Sequence, residues 1–310
     1  MPRPTPKSNT KPLPAKVQYE DVSPMWLVKA IAVTIVAALF CGYLTFCLLF
    51  YLGQWQLVLH PTRTLSAPPS IAGIPYELIR FGLDESATPQ LTGWWIPSAP
   101  GARYVHTTIL FLPGSEGSLA DSIPTLANLH NIGLNVFAFD YRGYGQSAPT
   151  RPNQLNMTND VDSAWRYLTT SRAIPAQQII PYGPGVGAAL ATKLAADHNA
   201  IPAVILDAPR SDLLEIVQRD PRSRLIPVSL LFHERFPLAA PISTLKTPKL
   251  LISRTTSPDE SFLHASDPKL TVELPSFSET VYTQSLTRFL DQYLPPAPVP
   301  QLVPAPAPIR

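Results

Sequence analysis

The run Ile179-Ile180-Pro181-Tyr182-Gly183-Pro184-Gly185-Val186-Gly187-Ala188-Ala189-Leu190-Ala191 decides how the rest of the chain is read. A short apolar stretch meets a cluster of glycines, and a small-residue helical pattern starts immediately afterwards. A strand turning sharply into a helix needs glycine where the backbone adopts positive φ and where neighbouring chains crowd it. The helix that follows, Val186–Asp197, is small-sided and so can lie close to a sheet. A dinucleotide-binding loop fits less well, because Gly-x-Gly-x-x-Gly would need glycine where Ala188 stands. Asp207 is the residue that could have served such a loop as its acidic partner.

Outward from this corner, short apolar runs alternate with amphipathic ones. Tyr76–Phe81 and Leu91–Ile96 suit antiparallel strands at the edge of a mixed sheet. Thr107–Leu112, Val136–Phe139, Val204–Leu206, Lys249–Ser253 and Lys269–Leu274 read as further strands, the first of them β-branched and buried on both faces. Helices are expected near 119–131, 157–169 and 277–293. Val161, Ala164, Trp165 and Leu168 share one face of the second. Short amphipathic pieces over 211–247 suggest a helical insertion above the strand ends. The alternation predicts an α/β domain over 76–294, with a doubly wound, mostly parallel sheet.

The N-terminal part is of another kind. Of 310 residues, none between Ala30 and Leu59 is charged. About 20 apolar residues suffice to cross a hydrocarbon core of roughly 30 Å. The run is too long for the apolar region of a cleaved leader and lacks a small-residue cleavage site. It therefore predicts a transmembrane anchor over 25–55, with Trp26, Tyr51 and Trp55 near the interfaces. Arg3, Lys7, Lys11, Lys16 and Lys29 precede it and only Arg63 closely follows, which places the N-terminus in the cytoplasm and the main domain outside. Residues 1–24 read as a disordered cytoplasmic tail and 56–75 as a linker. Residues 295–310, seven of them proline, read as a disordered tail.

Composition narrows the partners. A net charge of +2 without a basic cluster argues against nucleic acid, and the apolar segment points to the lipid bilayer as a partner. The two cysteines, Cys41 and Cys47, both lie in the apolar segment, so no disulfide framework is expected. No histidine or acidic grouping has metal-ligand spacing, and neither a metal nor a cofactor is expected.

With these residues in view, the chain from about Gln54 to Leu294 resembles the α/β-hydrolase superfamily. It is most similar to membrane-anchored lipase/esterase and serine-aminopeptidase-like members. Asp140-Tyr-Arg-Gly-Tyr-Gly-Gln-Ser147 matches their Asp-Tyr-Arg-Gly-x-Gly-x-Ser loop, and Asp140 and Arg142 read as a structural pair within it. Leu112-Pro113-Gly114-Ser115-Glu116-Gly117 stands where those proteins carry a His-Gly-x-x-Gly oxyanion loop. Gly183, Gly185 and Gly187 match the Gly-x-Ser-x-Gly nucleophile elbow, with glycine in place of serine. Asp207-Ala-Pro-Arg210 and Arg235-Phe-Pro237 resemble later family segments.

The resemblance also implies that Ser257 stands where the family carries its catalytic aspartate and Glu279 where it carries its histidine. Asp259 could serve as the acid only if its loop shifted. Ser115 is a hydroxyl without an evident base, Glu116 reads as solvated, and His198, His233 and His264 as surface or cap residues. Acyl transfer needs a nucleophile, a base and an orienting acid together. The resemblance thus implies a hydrolase fold with degenerate catalytic positions, serving to bind or scaffold. The alternative is a carboxylesterase, thioesterase or peptidase whose catalytic groups have moved.

Overall fold

The computed structural model describes residues 23–63, 73–210, 213–255, 260–276 and 278–294. The chain divides into two compact units, Met1–Leu49 and Phe50–Arg310. The first contains most of helix α1, Pro24–Gly53, none of whose residues is buried. Within Pro24–Leu57 an 18-residue window has a mean hydropathy of 2.3, and among the described residues this helix alone is long and apolar enough to cross a membrane. The expected N-terminal tail (apart from residues 23 and 24) and the C-terminal tail lie outside the described residues.

The second unit is built on eight strands. They are β1 Glu77–Leu83, β2 Pro89–Ile96, β3 Tyr104–Phe111, β4 Leu134–Asp140, β5 Ile179–Pro184, β6 Val204–Asp207, β7 Lys249–Ser253 and β8 Lys269–Glu273. Their spatial order is β1-β2-β4-β3-β5-β6-β7-β8. Strand β2 runs antiparallel to both its neighbours and all other pairs are parallel. The expected edge strands and the buried parallel strands are all present.

Side-chain alternation along the strands divides the core between two faces. On β3, Leu110 joins a cluster with Val161, Ala164 and Leu168 of one layer. Its neighbours Ile109 and Phe111 join Leu126, Leu129, Leu286 and Phe289 of the other. Helices α2 (Ile123–Asn131) and α9 (Glu279–Tyr293) therefore cover one face, and α3 (Gln154–Arg166) and α4 (Gly187–Asp197) cover the opposite one. Burying apolar rows on both sides of a parallel sheet is what makes such strands read as continuous hydrophobic runs.

The insertion contains α5 (Leu213–Arg219), a turn at Pro221–Leu225, α6 (Val228–Leu231) and α7 (Ala239–Thr244). It lies against α3 and α4 rather than only above the strand ends. Phe236, Leu238 and Ile242 enter their core cluster, and Gln154 at the start of α3 ties the loop down. Its backbone N–H donates to Glu234 at 2.5 Å, and its side chain accepts from the Phe236 N–H at 2.9 Å. A last short helix, α8 (Glu260–Leu263), precedes β8.

The expected linker 56–75 begins too early. Val58 and Leu59 are buried in the core, and His60–Pro61 pairs in parallel with Glu116–Gly117. Gln54 is buried as well: its side chain donates to the Leu231 carbonyl at 3.1 Å and accepts from the His233 N–H at 2.6 Å. These apolar residues contact core partners far away in sequence, a link that local composition does not carry. Residues 64–72 lie outside the described residues.

Candidate functional site

Strands β3 and β5 are neighbours in space but not in sequence, and the connections leaving their C-terminal ends part to opposite faces. In parallel α/β sheets such a switch point opens the crevice where ligands bind. The β3 end leads into Leu112–Gly117 and the β5 end into the Gly183–Gly187 corner. The Leu112 N–H donates to the Tyr182 carbonyl at 2.8 Å, so the two loops emerge side by side.

The corner is tightly specified. A β-carbon on Gly183 would lie 2.2 Å from the Gly187 carbonyl oxygen, and one on Gly187 would lie 2.1 Å from that of Leu112. Neither backbone oxygen can move aside without shifting α4 or the β3 loop. Gly185 differs. Its φ is +56°, the left-handed region, and a β-carbon there would meet nothing nearer than the Gly114 Cα at 3.9 Å. The turn is fixed by Gly185 N–H donating to the Asp207 carbonyl at 3.0 Å, and by Arg210 N–H donating to the Gly185 carbonyl at 3.3 Å. The position that could project a side chain into the crevice is spatially open and holds glycine.

Beside it, the 112–117 loop is clamped from below. The Tyr141 hydroxyl donates to the Pro113 carbonyl at 3.2 Å, and the Tyr144 hydroxyl and His60 N–H both donate to the Ser115 carbonyl. Gly114 faces the corner, and Ser115 is buried. Glu116 is exposed and lies 3.3 Å from Arg210, so it forms a surface ion pair rather than standing alone in solvent.

The Asp140–Ser147 loop is structural, although the expected Asp140–Arg142 pair does not form. Asp140 accepts from the Leu119 N–H at 2.8 Å and, at 3.4 Å, from the Gln146 N–H. Arg142 turns instead to Asp160 on α3, through its Nε at 2.6 Å and its backbone N–H at 2.9 Å. The two residues thus brace different elements: Asp140 holds the entry to α2, and Arg142 fastens the loop to α3.

Burial pushes the Asp140 carboxyl up to about 6, against the lowering effect of those two backbone N–H groups. A folded value above the unfolded one means that the neutral acid favours folding. That contribution is complete below about pH 4 and is lost as the pH rises through about 6. Asp140→Asn keeps an acceptor for Leu119 and does not titrate. The stability of the variant relative to the parent should therefore increase by about 2 kcal/mol between pH 4 and pH 7. Denaturant melts of both proteins at the two pH values measure it. A difference independent of pH would show that the carboxyl is not strained by burial.

The positions after β7 and β8 are occupied as follows. Ser257 and Asp259 lie outside the described residues. Glu279 is exposed and is the first residue of α9, where a carboxylate favours the helix N-terminus. His198 ends α4 with its ring stacked on Trp165, His233 touches Tyr51 edge-on, and His264 is exposed.

One feature of this region escaped the sequence reading. Arg254, directly after β7, grips Asp207 at the end of β6 with two bonds, Nε to Oδ1 at 2.9 Å and Nη2 to Oδ2 at 2.7 Å. The Tyr182 hydroxyl donates to the same carboxylate at 2.6 Å, and the Tyr282 hydroxyl donates to that of Tyr182 at 3.0 Å. Burial raises both phenols, and the bond to Asp207 raises the Arg254 guanidinium. This chain of bonds ties β5, β6, β7 and α9 together beneath the corner. A visible signal did exist: a tyrosine inside the apolar β5 run, and opposite charges closing two strands that turn out adjacent.

The description Serine aminopeptidase, S33, belongs to a family model that matches residues 105–302 of this chain. The chain belongs to that family. Its sheet-and-helix architecture is that of the α/β-hydrolase superfamily. Alpha/beta hydrolase domain-containing protein 17C of Mus musculus is 30% identical over 171 residues, 55% of this chain and 50% of that protein. The uncharacterized protein YfhR of Escherichia coli O157:H7 is 35% identical over 122 residues, 38% of this chain and 43% of that protein. The chain thus spans about half the length of the curated relatives it matches. Among solved structures, the esterase Pf2001 of Pyrococcus furiosus superposes with a TM-score of 0.58 at 19% identity. That match covers 77% of this chain and 98% of the esterase, and it speaks to the fold.

Proposed function

We propose that this family member is a membrane-anchored binding or scaffolding protein that has given up acyl-transfer chemistry at its corner. The observation that carries the reading is Gly185: the corner, its flanking glycines and its open space remain, and no side-chain atom is there to attack a carbonyl. Glu279 adds support. It leaves a carboxylate where the resemblance implies the imidazole that would take the proton of a serine hydroxyl. Losing the nucleophile or base of a triad costs on the order of 10⁶ in rate. The ligand class that suits an open hydrolase crevice is a lipid, an acylated protein or a peptide. The apolar α1, none of whose residues is buried, supports anchoring, and the basic residues before it support a cytoplasmic N-terminus with the domain on the other side.

A second reading is favoured by the comparisons themselves. The matched family is described as a serine aminopeptidase, and the superposed structures include esterases. Under that reading the chain is an esterase, thioesterase or peptidase with relocated catalytic groups. The detergent-solubilised full chain, assayed on a short acyl ester, an acyl thioester and an aminoacyl amide, separates the two. The binding reading expects no turnover above buffer, and saturable turnover on any of the three would establish the second.

Restoring serine makes a sharper test of the corner. Gly185→Ser should cost about 1 kcal/mol, the strain of a β-carbon at positive φ in otherwise free space. It should not restore esterase turnover, since a base and its orienting acid are still needed. A denaturant melt beside the ester assay reads both effects. A stabilised variant would mean that Gly185 is not at a strained corner. Turnover at an ordinary enzymatic rate would reveal a base already in place.

A further inference from the structure

The chain emerging from α1 does not leave the domain at a single point. Gln54 and the backbone of 231–233 are joined by two hydrogen bonds, at 3.1 and 2.6 Å, so α6 lies level with the end of that helix. A cleft of about 630 Å³ opens at the same level, and Tyr51, Gln54, Leu155 and His233 are among its lining residues. Two leucines beside these groups are largely exposed: Leu155, which lines the cleft, at 70%, and Leu230, next to the Leu231 that Gln54 bonds, at 74%. Large apolar residues standing together at such exposure mark an interaction surface. Two exposed arginines accompany them. Arg151, which lines the same cleft, lies over the Trp55 ring at 5.7 Å, and Arg235 is tethered to the Ser229 carbonyl of α6 at 2.7 Å.

We infer that this face, Leu155 and Leu230 with Arg151 and Arg235, seats on the bilayer surface where the chain enters it. The inference rests on the anchored reading of α1. If residues up to Leu49 occupy the hydrocarbon, chain continuity holds Tyr51–Leu57 at the headgroup level. Whatever packs on Gln54 is then held there too. Leucines at that depth bury their side chains in the acyl boundary, while arginines reach lipid phosphates with their stems lying along apolar surface.

The test uses the full chain with Cys41→Ser and Cys47→Ser, in vesicles of phosphatidylcholine and phosphatidylglycerol. Single substitutions L155C, L230C, L83C and L39C each carry an environment-sensitive fluorophore. Leu83 is an equally open leucine that lines a different cleft with Trp165, ten residues along α3 from Leu155 and so about 15 Å away. Labels at 155 and 230 should shift to the blue and lose about half their emission to nitroxide lipids near the headgroups, as interfacial groups do. The label at 83 should not change, and that at 39 should respond to nitroxides deep in the acyl chain. If 155 and 230 behave like 83 while 39 is quenched, the seating is wrong and the anchor stands. A blue shift insensitive to nitroxide lipid would assign the face to a protein contact and equally overturn it. An unquenched label at 39 would remove the anchor and the seating together.

Discussion

Gly187→Ala should destabilise the domain severely, by about 3 kcal/mol or more. The methyl group would sit 2.1 Å from the Leu112 carbonyl oxygen and 2.9 Å from that of Pro113. Both belong to a backbone held by Tyr182 and Tyr141, so α4 would have to lift from the sheet. Gly183→Ala should be about as damaging, since its methyl meets the Gly187 carbonyl at 2.2 Å. Gly185→Ala, two residues away from each, should cost only about 1 kcal/mol. The order of the three, with the middle glycine the most tolerant, follows from close packing at the flanks and open space at the centre. Denaturant melts of the three variants test it. Equal losses would mean that the corner is a generic turn.

Arg254→Ala should be the most damaging side-chain truncation near the crevice, at about 3 kcal/mol. It strips a buried carboxylate, Asp207, of the guanidinium that makes two bonds to it, leaving only the Tyr182 hydroxyl. The loss arises from the uncompensated charge more than from the pair itself, because desolvating both ions already offsets much of their attraction. Adding Asp207→Asn removes that charge and should recover part of the loss. A double variant as unstable as the sum of the two single ones would show that the two side chains act independently.

Much of this architecture was legible because it is local. The parallel strands announce themselves as apolar runs, the α4 helix as a small-residue face, and the corner as glycines that no side chain could replace at two of three places. Glycine at the centre of the corner was readable for the same reason, since an absent side chain is visible in the sequence. What stayed hidden involves partners distant along the chain. Asp207 and Arg254 are 47 residues apart and meet only because β6 and β7 are neighbours. Arg142 was expected to face Asp140 two residues away, and instead spans 18 residues to Asp160. Residues 56–61 look like the start of a linker, since nothing local shows that Val58 and Leu59 fill the core or that His60 joins the 116–117 strand. In each case short-range composition was overruled by tertiary contact.

The central claim is that the crevice lacks a working nucleophile. Treating the folded full chain in detergent with a fluorophosphonate, and mapping any adduct by peptide mass spectrometry, tests this most directly. An activated serine reacts because a neighbouring base takes its proton, whereas an ordinary hydroxyl does not. The account predicts no heat-sensitive adduct on any serine, Ser115 and Ser257 included. A stoichiometric adduct on one serine, lost when the protein is denatured beforehand, would contradict it and assign this chain a relocated catalytic site.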